Sequence, residues 1–228
     1  MQARLWDYCL SRSAWISYTG LHRPIMGQKV RAARRWGTKT ADERHSQRRH
    51  DLMQAAIKVY GERGFQNCSV KLVCDAAGLT ERYFYESFAN GEDMLQQCFR
   101  LVTSGLIAKM RETAEMTGGG RRKRVRAALL TYLGALKANP PAARLFLLGM
   151  ASVSPATDAL ISSNLDEFGC LLLEILGRQE SRNDVSPLLL RGVIGGGLHI
   201  ARVWVANGFA EDMDDVADTA LRLFLLIR

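Results

Sequence analysis

Apolar residues recur at helical spacing in nearly every segment after residue 40, and nowhere do they alternate long enough to draw a strand. Thr40-Ala41-Asp42-Glu43 fits a capping box, so order is expected to begin there. Leu52, Ala55, Ala56 and Val59 then form one stripe, and Gly64 suits a helix end. Ser69 is an N-cap type, Val70, Val73 and Ala77 share a face, and Gly78 stops the second helix. Thr80 caps a third helix, expected to run through Phe88. A fourth opens at Gly91-Glu92-Asp93, with acids at the positive end of its dipole, and continues through Met94, Phe99, Val102, Leu106 and Met110. After the loop Gly118-Gly119-Gly120, helices are predicted near 121–138, 140–150, 155–176, 187–207 and 212–227. Three of these start at Asn139-Pro140, Ser154-Pro155 and Ser186-Pro187, with Pro in the first turn. The expected fold class is all-α. Residues 1–39 read as a disordered arm, 40–90 as a small three-helix domain and 91–228 as a larger helical regulatory and dimerisation domain.

Charge sharpens this outline. The net charge is +8, and residues 1–50 hold 11 Lys/Arg against 3 Asp/Glu, which accounts for all of it. A basic arm on a neutral body points to a polyanion, nucleic acid first, against the alternative of a solubilising tail. Residues 51–95 carry four basic and seven acidic groups, so the helices there are net acidic. The five cysteines are odd in number and form no CxxC pair, which argues against a disulfide framework or a zinc site and for a cytoplasmic setting. No uninterrupted 18-residue apolar run exists, and Asp7, Arg12, His22 and Arg23 break up the first 25 residues. Neither a membrane span nor a secretory signal is expected. Met26 is a second candidate start, leaving open whether residues 1–25 belong to the native protein.

Two short helices joined by a tight turn at Gly78 form a helix-turn-helix pattern. One helix enters the major groove and the other braces it, so the turn must be short and must admit positive φ. The run from Ser69 to Phe88, the stretch from Ala55-Ala56 to Gly64-Phe65, and Glu92-Asp93-Met94-Leu95 together resemble the TetR family of transcriptional regulators. The specific resemblance covers about residues 45–98.

It implies a homodimeric repressor that binds a palindromic operator in double-stranded DNA and is released by a small molecule. On the matching positions it places Glu81, Arg82 and Tyr83 near base edges, Tyr85 on a phosphate, and Ser69 and Lys71 at phosphate from the start of the supporting helix. Thr80 opens the recognition helix. Val73, Leu79, Phe84 and Phe88 read as the packing that holds the two helices together. Tyr83 reads equally as a packing aromatic, and Arg82 as an arginine paired with Glu86. Arg48 and Arg49, with Lys29, Arg31, Arg34, Arg35, Lys39 and Arg44, are candidates for phosphate or minor-groove contact.

In the C-terminal part, Gly192 and Gly196 share a helical face, as do Gly197 and Ala201. With Ile200, Val203 and Trp204, and with Val216, Ala220, Leu223 and Ile227 on the last helix, they form a candidate dimer interface; an intramolecular core is the alternative. Phe99, Val102, Leu106, Met110, Leu129, Tyr132, Leu133, Phe146, Leu147, Met150 and Phe168 either line a pocket for an apolar or aromatic ligand or fill a closed core. His199 stands alone and reads as structural, and Arg121 to Arg126 as a solvated surface. No nucleophile elbow, P-loop or zinc-binding helix is present, so an enzyme is not expected, and no cofactor is implied. A helical ligand-binding or interaction protein without operator binding is the alternative function.

Overall fold

Side chains that satisfy orphan amides set most helix starts. The computed structural model describes residues 40–149, 153–177 and 185–227. The chain divides into two units, residues 1–46 and 47–228, each taken by itself. In the first, Thr40 N donates to Glu43 Oε2 at 2.7 Å and Glu43 N to Thr40 Oγ1 at 3.1 Å, the reciprocal capping box that opens α1, Ala41–Arg63.

After a single 3-10 turn at Phe65–Asn67 come α2 (Val70–Ala77), α3 (Glu81–Tyr85) and α4 (Gly91–Met116). The remaining helices are α5 (Arg121–Ala138), α6 (Pro140–Leu148), α7 (Pro155–Ile175), α8 (Pro187–Ala206) and α9 (Met213–Phe224). No strand occurs among the described residues. Ser69, Asn90, Asn139, Ser154 and Asp212 each accept a backbone N–H at the start of α2, α4, α6, α7 and α9.

The third helix is shorter than its sequence suggested. It ends at Tyr85, not Phe88, because Ser87 N already bonds Phe84 O in a tightened turn. The chain must then reach the extended Asn90, at φ −164°, that caps α4. Helix α5 ends at Ala138 as expected, while α6 to α9 stop one to three residues before the expected ends, as α6 does at Leu148.

Leu52, Val73, Phe84, Met94, Leu95 and Cys98 are fully buried and knit α1–α3 to the start of α4. Each such side chain contributes roughly 1.5–3 kcal/mol by leaving water. Leu133, Leu145, Leu171, Leu173, Trp204 and Leu221 do the same for the helices beyond. Two contacts couple these groups. Gly61 of α1 lies directly on the Pro141 backbone of α6. Glu92 of α4 accepts from Ser154 Oγ at the start of α7 and, at 3.4 Å, from Thr157 Oγ1.

Helix α8 is long and apolar enough to cross a membrane by length and composition, with mean hydropathy 1.3. Its Leu190, Val193, Ile194, Gly197, Ala201, Trp204 and Val205 are buried against the other helices, while the rest of the helix is more open.

Candidate nucleic-acid interface

Local chemistry orients α2 and α3. Ser69 Oγ accepts from Leu72 N at 3.2 Å, and Gly78, at φ 65° and ψ 30°, takes the left-handed conformation that lets the chain reverse within three residues. Gly78 N donates to Asp75 O, and Leu79 N to Cys74 O at 3.0 Å, closing the turn. On the inner side of α3, Phe84 and Phe88 are buried with rings 5.5 Å apart. That burial fixes which side chains face outward.

The outer face carries Ser69, Lys71, Thr80, Glu81, Arg82 and Tyr85, all exposed. Arg82 is 83 % exposed and its Nε donates to Glu86 Oε1 at 3.0 Å. Tyr85 is 60 % exposed, with its ring edge against Phe84. Thr80 makes no capping bond through its side chain. Tyr83 is half-buried, and the Arg48 guanidinium stacks over its ring at 4.4 Å. Arg48 Nε has no hydrogen-bond partner.

Arg49 is engaged elsewhere. It donates to Gln97 Oε1 and lies 5.0 Å from the Phe88 ring centre, bracing α1 against α4. Expected as an outward cation, it is turned inward by these partners. Residues 1–39, with most of the basic arm, lie outside the described residues, as does Met150.

Burial dominates the chemistry behind the interface. It pushes the Cys98 thiol from 9.0 up to about 12, against the opposing pull of Arg49. It also raises Cys68, with Arg63 opposing, and Cys74, where Glu81 and Asp75 add to the rise. The Tyr60 phenol is raised by burial first and then by the nearby Cys98, Cys68 and Cys74. Burial thus favours the protonated form of all four groups. Among the described residues, no group of three His, Cys, Asp or Glu is placed to hold a metal ion. His199 is exposed on α8.

A cavity of about 40 Å³ lies among α4, α5, α7, α8 and α9. Tyr132 and Phe168 line it, together with Met110, Leu129, Ile194, Gly197 and Phe224. The expected pocket was placed partly too close to the α1–α3 end. Phe99, Leu106 and Phe146 are buried as core, with Phe99 and Phe146 rings 5.5 Å apart, and Val102 is half-buried outside the lining. The α8 and α9 wall was missed, because only tertiary packing brings it there. A possible signal was Gly197: a Cβ on it would stand 2.4 Å from the Phe224 ring.

The candidate dimer residues divide in the same way. Trp204, Val216, Ala220 and Ile227 are buried within this single chain, and Trp204 Nε1 donates to Glu211 O at 2.9 Å. They are corrected from interface to core. Gly196 faces Leu223 of its own α9, where a Cβ would meet Leu223 Cδ2 at 2.7 Å. Ile200 and Leu223 are half-buried, while Gly192 and Val203 are exposed. On the same helix Leu188 is 81 % exposed and Leu189 47 %.

Residues 52–98 match a family described as bacterial regulatory proteins, tetR family. The chain is 30% identical over 70 residues to the HTH-type transcriptional repressor KstR2 of Mycobacterium tuberculosis, covering 31% of this chain and 35% of that protein. The chain thus spans about a third of the length of that curated relative. Three solved structures share the fold. The fatty acid degradation regulator FadR from Bacillus halodurans has a TM-score of 0.69 at 19% identity, over 78% of this chain and 94% of that one. The transcriptional regulator FadR from Bacillus subtilis, in complex with stearoyl-CoA, has a TM-score of 0.66 at 20% identity, over 77% and 96%. A tetR-family transcriptional regulator from Streptomyces coelicolor has a TM-score of 0.62 at 19% identity, over 80% of each.

Proposed function

We propose that the chain, which matches the tetR family of bacterial regulatory proteins through its residues 52–98, is a DNA-binding transcriptional repressor of the cytoplasm, homodimeric on a palindromic operator and released by a small apolar ligand. One observation carries the reading. Buried Phe84 and Phe88 turn α3 so that Arg82 and Tyr85 stand in solvent beside the capped start of α2. A short helix presented this way fits the major groove, with Arg82 at a base edge and Tyr85, Ser69 and Lys71 on phosphate. Thr80, Glu81 and Tyr83 complete the candidate contact set, and Arg48 acts through Tyr83.

Two further features support the assembly and its control. Leu188, Leu189, Gly192 and Val203 give α8 an open apolar face suited to a second copy of the chain. The apolar cavity supports an apolar effector, and the stearoyl-CoA held by the Bacillus subtilis regulator brings long-chain acyl compounds into the candidate class. Nothing in this reading calls for catalysis.

A shift assay with DNA from upstream of the chain's own gene tests it. A retarded band that a specific competitor removes and random duplex does not is the expected result. Equal competition by both would favour a helical ligand-binding protein without operator binding, the reading that the net acidic charge of residues 51–95 favours.

A further inference from the structure

Resting on the effector reading and deepening it, we infer that the cavity takes an uncharged apolar chain bearing one carbonyl oxygen, whether a free molecule or the acyl end of a carrier, and that this oxygen accepts from the hydroxyl of Tyr132. Tyr132 is buried in the second half of α5 and lines the cavity among Met, Leu, Ile, Val and Phe side chains. Its hydroxyl has no hydrogen-bond partner among the described residues. Phenylalanine would fill the same space without stranding a polar group, and a stranded buried hydroxyl is costly. The ring itself is well packed, edge-on to Phe168 at 6.1 Å. Only the oxygen lacks a partner, so the oxygen is what the ligand uses.

Chemistry narrows the class. Burial raises the Tyr132 phenol, which therefore stays a proton donor and asks for an acceptor. Among the described residues, no cation lines the cavity. Arg111, next to the lining residue Met110, donates to Glu174 at 2.9 Å, so its charge is already matched. A carboxylate inside would have no counter-charge, whereas a ketone, ester or thioester carbonyl needs none. The apolar wall takes the rest of the molecule.

Size adds a mechanism. About 40 Å³ is far below the roughly 150 Å³ that admits benzene in an engineered cavity. The ligand must therefore displace a side chain, and Phe224 is the one placed to move. It is the last residue of α9 and only half-buried, and its ring rests on Gly197.

The test measures binding of 2-undecanone, undecane, decanoate and decanoyl-CoA to the full chain by calorimetry, with Tyr132→Phe and Phe224→Ala alongside. We expect the ketone to bind more tightly than undecane and decanoate. Tyr132→Phe should weaken the ketone about three- to tenfold, leave undecane unchanged, and unfold no earlier than the wild type. Phe224→Ala should bind the ketone more tightly by relieving the block. Decanoyl-CoA binding as well as the ketone, with the same Tyr132→Phe loss, identifies a carrier-bound acyl group as the source; ketone binding alone identifies a free neutral molecule. Equal ketone affinity in wild type and Tyr132→Phe overturns the inference. So do ketone and undecane of equal affinity, a lower midpoint for Tyr132→Phe, or no binding by wild type and Phe224→Ala alike. Operator shift by the ligand-free protein is read on the same samples. A ketone site without any DNA shift keeps this inference and removes the regulator reading, and the converse result separates them the other way.

Discussion

Gly61 and Pro141 meet backbone to backbone: a Cβ on Gly61 would stand 2.0 Å from the Pro141 carbonyl oxygen and 2.5 Å from its carbon. Neither atom can rotate aside, so this crossing of α1 and α6 requires glycine. Gly61→Ala should destabilise the protein by about 1–3 kcal/mol or more in urea unfolding and weaken operator binding with it. Gly105 of α4 has nothing within 4 Å of its Cβ position, and Gly105→Ala should stabilise by up to about 1 kcal/mol. The same sign for both changes would refute the packing argument.

Arg82 and Tyr85 should separate in their effects on DNA. Arg82→Ala should relax selectivity at one or two base pairs and cost roughly 1–3 kcal/mol on the operator. Tyr85→Phe should weaken all duplexes alike. Glu86→Gln, by freeing Arg82 from its 3.0 Å partner, should tighten binding to every duplex at low salt. An unchanged ratio of operator to random affinity in Arg82→Ala would show that Arg82 reads no base.

Residues 1–39 hold eight of the eleven Lys/Arg found before residue 51. Deleting them should lower operator affinity and flatten the log–log salt slope by about 0.9 per phosphate contact removed. Deleting residues 1–25 alone removes only Arg4, Arg12 and Arg23 and should do little. A salt series on the full chain and both truncations measures this. Three identical slopes would make the arm a bystander.

Alkaline pH should unfold the protein in a defined window. Cys98 titrates at 9.0 ordinarily and at about 12 in the fold, and the buried phenols of Tyr60 and Tyr132 are raised from 10.0. The folded state therefore holds these protons more tightly than the unfolded chain. Stability is fully present below about pH 9 and falls as pH rises from there toward 12 and beyond. The part of the tyrosinate absorbance that belongs to the buried Tyr60 and Tyr132 should grow together with loss of helical circular dichroism. Complete tyrosine ionisation in a chain still helical would contradict the assignment.

Much of this was readable from local chemistry. Ser69, Gly78, Asn90 and Pro155 act within a few residues of themselves, so the helix starts and the turn followed from residue type. The outward set on α3 followed once Phe84 and Phe88 were taken as packing. What escaped depends on partners distant in sequence. Arg49 looked free until Gln97, 48 residues away, was found beside it. Trp204 and Ala220 looked like interface because an apolar helical stripe has the same spacing whether it meets its own chain or another. Met110, Leu129, Tyr132 and Phe168 were legible as candidate lining, but the α8 and α9 walls were not, because the cavity is built from five helices and no single stripe outlines it.

The two adjacent glycines of α8, each with a large α9 side chain pressed onto it, also bear on how this protein can diverge. Gly196 answers to Leu223 and Gly197 to Phe224. An alanine at 197 must push the Phe224 ring aside or be met by a smaller residue at 224, and either change alters the space beside Tyr132. The two positions are therefore coupled through that space. Descendants with a bulkier residue at 197 and a smaller one at 224 should be found listening to a different compound, while α3 and its operator pass down unchanged.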